Sequence, residues 1–122
     1  MSSNSEISFL DRAGRVAGTS TERQKHGCVI VKGGRVISVG VNTFLNHPNV
    51  VSNPDRESSF HAEINAIRGL DVSGSTVYVA RVNNRGETKL SKPCLECYKS
   101  LKEAGVKKII WTEDNGRIGS IT

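Results

Sequence analysis

Two short runs rich in β-branched residues, with only two glycines between them, constrain the fold of this chain most strongly. The runs are Cys28–Lys32 and Arg35–Val41, and Gly33-Gly34 separates them. Consecutive glycines at this spacing are typical of a tight turn between antiparallel strands, because such a turn needs positive φ angles that glycine adopts without strain. The sequence therefore predicts a β-hairpin over residues 28–41.

Helical and strand patterns alternate along the rest of the chain. Apolar residues at helical spacing predict a first helix over residues 6–17, which ends at Gly18. This alternation favours an α/β fold, a sandwich with helices packed on a central sheet. The other predicted elements are a helix at His61–Leu70, a strand at Thr76–Val82, a turn at 83–86 with a short return arm at Glu87–Ser91, a helix from Cys94 to Ala104 that begins after Pro93, a strand at Val106–Thr112, a turn at 114–116 and a strand at Arg117–Thr122 that pairs back antiparallel.

The segment Asn42–Phe60 has no periodic apolar pattern. It holds Pro48 and Pro54 among Asn, Ser and Asp residues, so a loop is predicted over its whole length. Loops of this length inside compact domains are usually functional or mobile.

Length and composition limit the class of protein. The 122 residues suit one domain over 1–122. With tyrosine left out and glycine added, the apolar set makes up 54 of the 122 residues, or 44%, which is close to the usual globular range and argues against disorder. No apolar run approaches the roughly 18 residues of a membrane-spanning helix. Because Met1–Leu10 is polar and lacks an apolar core, no secretory signal is predicted, and we expect a cytoplasmic protein without a membrane partner.

The net charge of +5 favours anionic partners, either small nucleotides or single-stranded nucleic acid. A solvated Lys/Arg surface explains the same charge without any partner. Aromatic residues make up only 5% of the chain, which argues against a broad platform for stacking bases.

Three cysteines, an odd number, do not suggest a disulfide framework. Cys28 lies in the apolar run of a predicted strand, where a lone cysteine is usually a small core residue. Cys94 and Cys97 form a C-x-x-C pair at the start of a predicted helix, and residues three apart share one helix face. The pair can therefore point at one metal ion.

A second group, His61-Ala62-Glu63, begins the preceding predicted helix. Imidazole and thiolate are the ligands that zinc prefers, so His61, Cys94 and Cys97 would leave a fourth position open, as in catalytic zinc sites. Glu63 would then move protons between a bound water and a substrate.

Two other interpretations of the cysteine pair stay open. A structural zinc would need a fourth ligand from Cys28, His26 or His47. A redox pair would need a thioredoxin-like context, which this sequence does not offer.

The combination of H-x-E with P-C-x-x-C is a known signature of zinc-dependent nucleobase deaminases, and the chain resembles the cytidine/deoxycytidylate deaminase superfamily. The resemblance covers about residues 25–112. It extends to GCVIVKGGRVISVGVN at 27–42, HAEINAIR at 61–68 and TVYVA at 76–80. It implies a three-layer α/β/α sandwich around a mixed sheet, with the last two strands an antiparallel hairpin.

The resemblance also implies roles for individual residues. His61, Cys94 and Cys97 would bind Zn²⁺, zinc hydroxide would be the nucleophile and Glu63 the proton shuttle. Asn42 would contact the sugar, although an Asn after a strand can also simply form a turn. The remaining implied substrate contacts are Ala62, Pro93 and Lys92. Lys92 would either bind a phosphate or be an exposed lysine without a role in binding.

Departures from the family pattern bear on the substrate. A histidine at position 61 agrees with the nucleotide and polynucleotide branches rather than with the free-cytidine deaminases. Thirteen residues, Arg81 to Pro93, separate strand from cysteines where many relatives have a few. The chain ends soon after residues 114–116, which leaves no room for the C-terminal helices of the tRNA adenosine deaminases.

We therefore expect a zinc-dependent deaminase of cytosine in a small nucleotide or nucleoside, with deoxycytidylate to deoxyuridylate as the favoured reaction. Arg56 or Lys92 would hold the phosphate, and the resemblance implies a homo-oligomer. One alternative is a deaminase of cytosine or adenine in single-stranded DNA or RNA. A weaker one is a non-catalytic binding module that zinc stabilises, against which the intact Glu63 argues.

Overall fold

The structure is a computed structural model that describes residues 4–20, 25–44, 59–60, 70–93 and 95–122. Within these ranges the chain forms two α-helices, eight strands and one short 3₁₀ turn. The helices are α1 (Asn4–Ala17) and α2 (Leu95–Glu103), the strands are β1 (Lys25–Lys32), β2 (Arg35–Val41), β3 (Thr43–Phe44), β4 (Ser59–Phe60), β5 (Thr76–Val82), β6 (Thr88–Lys89), β7 (Lys108–Thr112) and β8 (Ile118–Ile121), and the 3₁₀ turn is Asp114–Gly116.

The main sheet is mixed. Its strand order is β2-β1-β5-β7-β8, and β6 pairs with the end of β5. Strands β5 and β7 are parallel, whereas β1 is antiparallel to both β2 and β5. Strand β8 pairs antiparallel with β7, which confirms the predicted hairpin at the end of the chain.

Both faces of this sheet are covered by apolar clusters, because successive side chains of a strand point to opposite sides. On one face, β1, β5 and β7 pack against Leu10 and Ala13 of α1. On the other face, alternate residues of the same strands pack against Leu101 of α2. The described residues thus form the predicted three layers, helix on sheet on helix.

The glycine pair forms the tight turn that the sequence predicts. Gly33 and Gly34 have φ angles of 61° and 79°, which glycine adopts without strain. A third glycine, Gly27, permits the contact between β1 and α1. A Cβ there would overlap backbone atoms of Ala13 and Ala17, so helix and strand could not approach this closely with a larger residue.

The prediction of an unbroken loop over 42–60 is wrong at its two ends. Thr43 pairs with Phe60 and Phe44 with Ser59 in a separate two-stranded antiparallel sheet. A two-residue ladder needs only backbone hydrogen bonds and leaves no apolar periodicity to detect. Residues 45–58, and residues 61–69 of the predicted second helix, lie outside the described part of the chain.

The helix that follows Pro93 and the helix over residues 4–17 confirm the sequence-based predictions. No helix within the described ranges is long and apolar enough to cross a membrane.

Candidate active site

The structure describes four of the eight residues that the sequence assigned to the site. Asn42, Lys92, Pro93 and Cys97 belong to the described ranges. His61, Ala62, Glu63 and Cys94 lie outside them, as does Arg56, so their placement stays a prediction.

Cys97 is buried, with 2% of its surface exposed, in the first turn of α2. Leu95, two residues earlier, is 67% exposed, so this turn presents Cys97 toward the interior and Leu95 toward solvent. The positive end of a helix stabilises a thiolate in its first turn. The buried position of Cys97 at this helix end therefore suits a metal ligand.

The segment that leads into α2 is anchored by Ser91, which the sequence analysis missed. Its hydroxyl donates to the Val79 carbonyl oxygen at 2.9 Å and accepts the Thr112 N–H at 2.9 Å. The Ser91 N–H donates to the Thr112 carbonyl oxygen at 2.9 Å. Ser91 is 3% exposed, so these bonds are shielded from water. They fix the start of the Ser-Lys-Pro-Cys segment at the carboxyl ends of the parallel strands β5 and β7.

No short motif could have indicated Ser91, because its two partner residues, Val79 and Thr112, lie on strands that are distant from it in sequence. Pro93, half-buried, follows two residues later and precedes α2. Its lack of an N–H is tolerated at a helix start, as the sequence predicted.

Asn42 is 5% exposed and extends the pairing of β1 with β2 by one residue. Its side-chain oxygen accepts the His26 N–H at 2.9 Å, and its own N–H donates to the His26 carbonyl oxygen at 3.2 Å. The Ser20 hydroxyl donates to the Asn42 carbonyl oxygen at 3.1 Å. Asn42 therefore has a structural role at the end of β2, and the sugar contact stays a prediction beside it.

Lys92 is exposed, and its Nζ lies 5.6 Å from the centre of the Trp111 ring. A cation at this distance from an indole face is attracted by the ring quadrupole. The indole Nε1 donates to Glu113 Oε2 at 3.2 Å, which fixes the ring that Lys92 covers. The side chain of Lys92 is thus held on the α2 side of the sheet, close to the cysteine segment.

The alternating faces of the strands assign further side chains to the α2 side. Val77 and Val79 pack with Leu101 there, so Arg81, two residues on, lies on the same face. Arg81 pairs with His26 on β1 and with Lys89 on β6, and His26 pairs in turn with Asn42. These four residues, Asn42, His26, Arg81 and Lys89, form a row across the sheet at the carboxyl end of β5, which we call the polar row.

The α1 side carries a separate cavity of about 500 Å³, which is lined by residues such as Lys25, Val82 and Thr88. Because these side chains lie on the opposite face from Cys97 and the polar row, the cavity does not belong to the candidate site.

The donor set fits zinc. One imidazole and two thiols are the ligands that Zn²⁺ takes in sites that keep a position for water. Within the described ranges, no three His, Cys, Asp or Glu residues lie close enough together to hold a metal ion. Cys28 is fully buried in the apolar cluster under α2, which confirms it as a core residue.

Several solved structures are similar to this chain over most of its length. The chain resembles the deoxycytidylate deaminase of the cyanophage S-TIM5, with 26% identity and a TM-score of 0.69 over 94% of this chain and 87% of that one. A structure of the same phage enzyme with dCMP and dUMP matches at 23% identity and a TM-score of 0.65, over 93% of this chain and 85% of that one.

Two bacterial structures share the fold. Cytidine deaminase from Mycobacterium leprae has 20% identity and a TM-score of 0.57, over 91% of this chain and 88% of that one. RibD from Acinetobacter baumannii has 26% identity and a TM-score of 0.58, over 88% of this chain but only 28% of that one. A search of curated proteins gave no significant match.

The sequence model of the cytidine and deoxycytidylate deaminase zinc-binding region matches residues 3–113, which include both predicted motifs. With this match over most of its length, the chain belongs to the cytidine and deoxycytidylate deaminase family and is a zinc-dependent deaminase.

Proposed function

We propose that the protein deaminates cytosine carried on a small nucleotide or nucleoside, with deoxycytidylate to deoxyuridylate as the favoured reaction. The observation that carries the proposal is the burial of Cys97 in the first turn of α2, on a segment that Ser91 anchors to β5 and β7. The likeness to a phage deoxycytidylate deaminase over nearly the whole chain supports the choice of substrate.

His61, Cys94 and Cys97 would hold the zinc. Zinc, when bound, supplies a Lewis acid that makes water nucleophilic near neutral pH. Glu63 is the group that moves protons: it passes one proton of the attacking water to the ring nitrogen, and then carries the second, from the hydroxyl now on the ring carbon, to the departing amino group. Water adds at the amino-bearing carbon, the C–N bond breaks, ammonia leaves and the oxo base remains.

The substrate contacts proposed for this reaction are Asn42, Ala62, Lys92 and Pro93. Asn42 and Pro93 are close to strand ends that the hydrogen bonds of His26 and Ser91 hold in place. Such fixed positions suit orientation of a sugar and a base before reaction. Lys92, held over Trp111 and exposed, can reach an anionic group of the substrate.

The test is direct. The zinc-loaded protein is incubated with deoxycytidylate, deoxycytidine, cytidine and a single-stranded oligonucleotide that contains cytosine. Mass spectrometry follows the gain of about one mass unit when an amine becomes an oxo group. Glu63→Ala, which should keep its zinc, is the control. We expect turnover of the monomers and none by the variant.

Two other outcomes would change the assignment. Turnover of the oligonucleotide alone, with a steep loss at higher salt, would make the protein a nucleic-acid deaminase. Equal behaviour of wild type and Glu63→Ala on every substrate would indicate a binding module with a zinc of structural use only.

A further inference from the structure

We propose that Arg81 binds the phosphate of the substrate and so makes a cytosine nucleotide a better substrate than the corresponding nucleoside. This inference rests on the proposed function and adds to it a residue that selects for the phosphate. It follows from four properties of Arg81: its face of the sheet, its link to the cysteine segment, its charge environment and its distance from Asn42.

The alternation of side chains along β5 determines the face of the sheet on which Arg81 lies. Val77 and Val79 are fully buried in the cluster that contains Leu101 of α2, and Arg81 continues this alternation on the same side. Arg81 is half-buried, whereas Val77 and Val79 are fully buried, since Arg81 is near the end of β5 and is not part of the apolar cluster. Arg81 therefore lies at the rim of the face that carries Cys97.

A short chain of hydrogen bonds links Arg81 to the segment that precedes the cysteines. The Arg81 N–H donates to Thr112 Oγ1 at 3.2 Å, and that oxygen lies 2.8 Å from the Ser91 hydroxyl. Ser91 is three residues before Cys94 in the chain. The backbone of Arg81 and the start of the cysteine segment thus share one anchor, which keeps them together.

Within the described part of the chain, no carboxylate compensates the charge of Arg81. Its guanidinium makes neither an ion pair nor a side-chain hydrogen bond with these residues, and its partner on β6 is the cation Lys89. The nearby carboxylate of Glu87 accepts from the Asn83 amide instead. A guanidinium, with its planar set of donors, is well suited to a phosphate, which it can bind through two parallel hydrogen bonds.

The spacing within the polar row matches a nucleotide. Asn42 and Arg81 are separated by one intervening strand, that is, by two strand spacings or about 10 Å. A sugar held at Asn42 would place its phosphate within reach of the long Arg81 side chain. A nucleoside has a neutral hydroxyl in place of the phosphate, so it would not form an ion pair with Arg81.

The experiment compares Arg81→Ala and Arg81→Lys with Arg85→Ala as a matched control. Arg85 lies four residues away at the exposed tip of the β5–β6 turn, so its replacement removes the same charge far from the polar row. Values of kcat/KM are measured for deoxycytidylate and deoxycytidine. Because hydrogen bonds to charged groups contribute about 1.5–3 kcal/mol, Arg81→Ala should lower kcat/KM for deoxycytidylate about 10- to 140-fold.

The same variant should keep kcat/KM for deoxycytidine within about twofold, since that substrate has no phosphate to lose. Arg81→Lys should retain part of the preference because it keeps the charge without the planar fork. Arg85→Ala should match the wild type. Equal losses for both substrates, or no loss for either, would overturn the proposal. Zinc content and thermal unfolding check that each variant is folded, and Arg81→Gln replaces Arg81→Ala if the alanine variant is not.

Equilibrium binding separates this inference from the proposed reaction. If the wild type deaminates none of the substrates, the proposed function fails, but calorimetric titration with deoxyuridylate and deoxyuridine still tests Arg81. Tighter binding of the nucleotide that disappears in Arg81→Ala supports the phosphate contact, and equal affinities overturn it. If Arg81→Ala affects only an oligonucleotide substrate, the residue binds a phosphodiester and the assignment to a mononucleotide is wrong.

Discussion

The indole of Trp111 lies directly over the backbone of Gly119, its partner on β8. A Cβ at position 119 would overlap Nε1, Cε2 and Cζ2 of the ring. Because Trp111 is 6% exposed and packed in the cluster under α2, the ring cannot move aside freely. We expect Gly119→Ala to lower the free energy of unfolding by about 1–3 kcal/mol, as overpacking does. Urea unfolding followed by circular dichroism measures it, and an unchanged midpoint would contradict the contact.

Gly14 offers the opposite case. It lies inside α1, where a Cβ would be 3.9 Å from Val82 Cγ1, an ordinary contact. Glycine inside a helix costs about 0.5–1 kcal/mol relative to alanine. Gly14→Ala should therefore stabilise the protein by up to this amount. A loss of stability in thermal unfolding would show that α1 has no room against β5.

Ser91→Ala removes a hydroxyl that bonds to Val79 and Thr112, and it leaves the buried Thr112 N–H without its acceptor. An unsatisfied buried donor costs about 1–3 kcal/mol, which is the loss of unfolding free energy we expect. Ser120→Ala is the control, since Ser120 is exposed on β8 and should change stability by less than about 0.5 kcal/mol. Equal effects of the two substitutions on the free energy of unfolding, measured with urea, would contradict the anchoring role of Ser91.

Zinc removal should destabilise the fold, because thiolate and imidazole ligands couple metal binding to folding. We expect a chelator to lower the Tm by roughly 5–10 °C, and Cys97→Ser to reproduce that loss without further response to the chelator. Cys28→Ala is the matched control: it loses a buried thiol but should keep one zinc per chain by elemental analysis. Retention of zinc by Cys97→Ser would refute its ligand role.

The exposed carboxylate of Asp71 contributes to the free energy of unfolding in a way that depends on pH. Hydrogen bonds from the Ser73 hydroxyl and N–H, together with the charge of Lys32 at 3.6 Å, hold its pKa below the ordinary value of 3.8. Because the folded pKa is depressed, this stabilisation is present above pH 4 and is lost as the pH falls through the folded pKa. The difference in unfolding free energy between wild type and Asp71→Asn should therefore shrink between pH 5 and pH 3. A difference that stays constant over this range would contradict the assignment.

Local patterns in the sequence predicted most elements of the fold. The glycine pair at 33–34 identifies its hairpin because two positive φ angles restrict the residue type. The strands under α1 and α2 are visible because burial on both faces requires continuous apolar runs. The two-residue strands at 43–44 and 59–60 escape detection, since their pairing uses backbone groups that every sequence has.

The sequence predicted the chemical groups of the candidate site, but not the contacts that hold them in place. The motif spacing identifies Cys97 as a ligand candidate, and its burial agrees with that role. Ser91 and Arg81 gave no signal, because their importance comes from contacts and strand registers between distant segments. Lys92 could be judged either a phosphate contact or a surface lysine, and its position over an aromatic ring depends on Trp111, nineteen residues later in the chain.

Trp111 is the single tryptophan of the chain, and its ring lies next to the segment that leads into α2. Lys92 covers its ring, Glu113 binds its nitrogen and the cluster under α2 surrounds it. Any ligand that draws Lys92 away changes the polarity around the only indole. The protein therefore carries its own optical probe: intrinsic fluorescence would follow substrate arrival beside the cysteine segment in real time, without a label and without turnover.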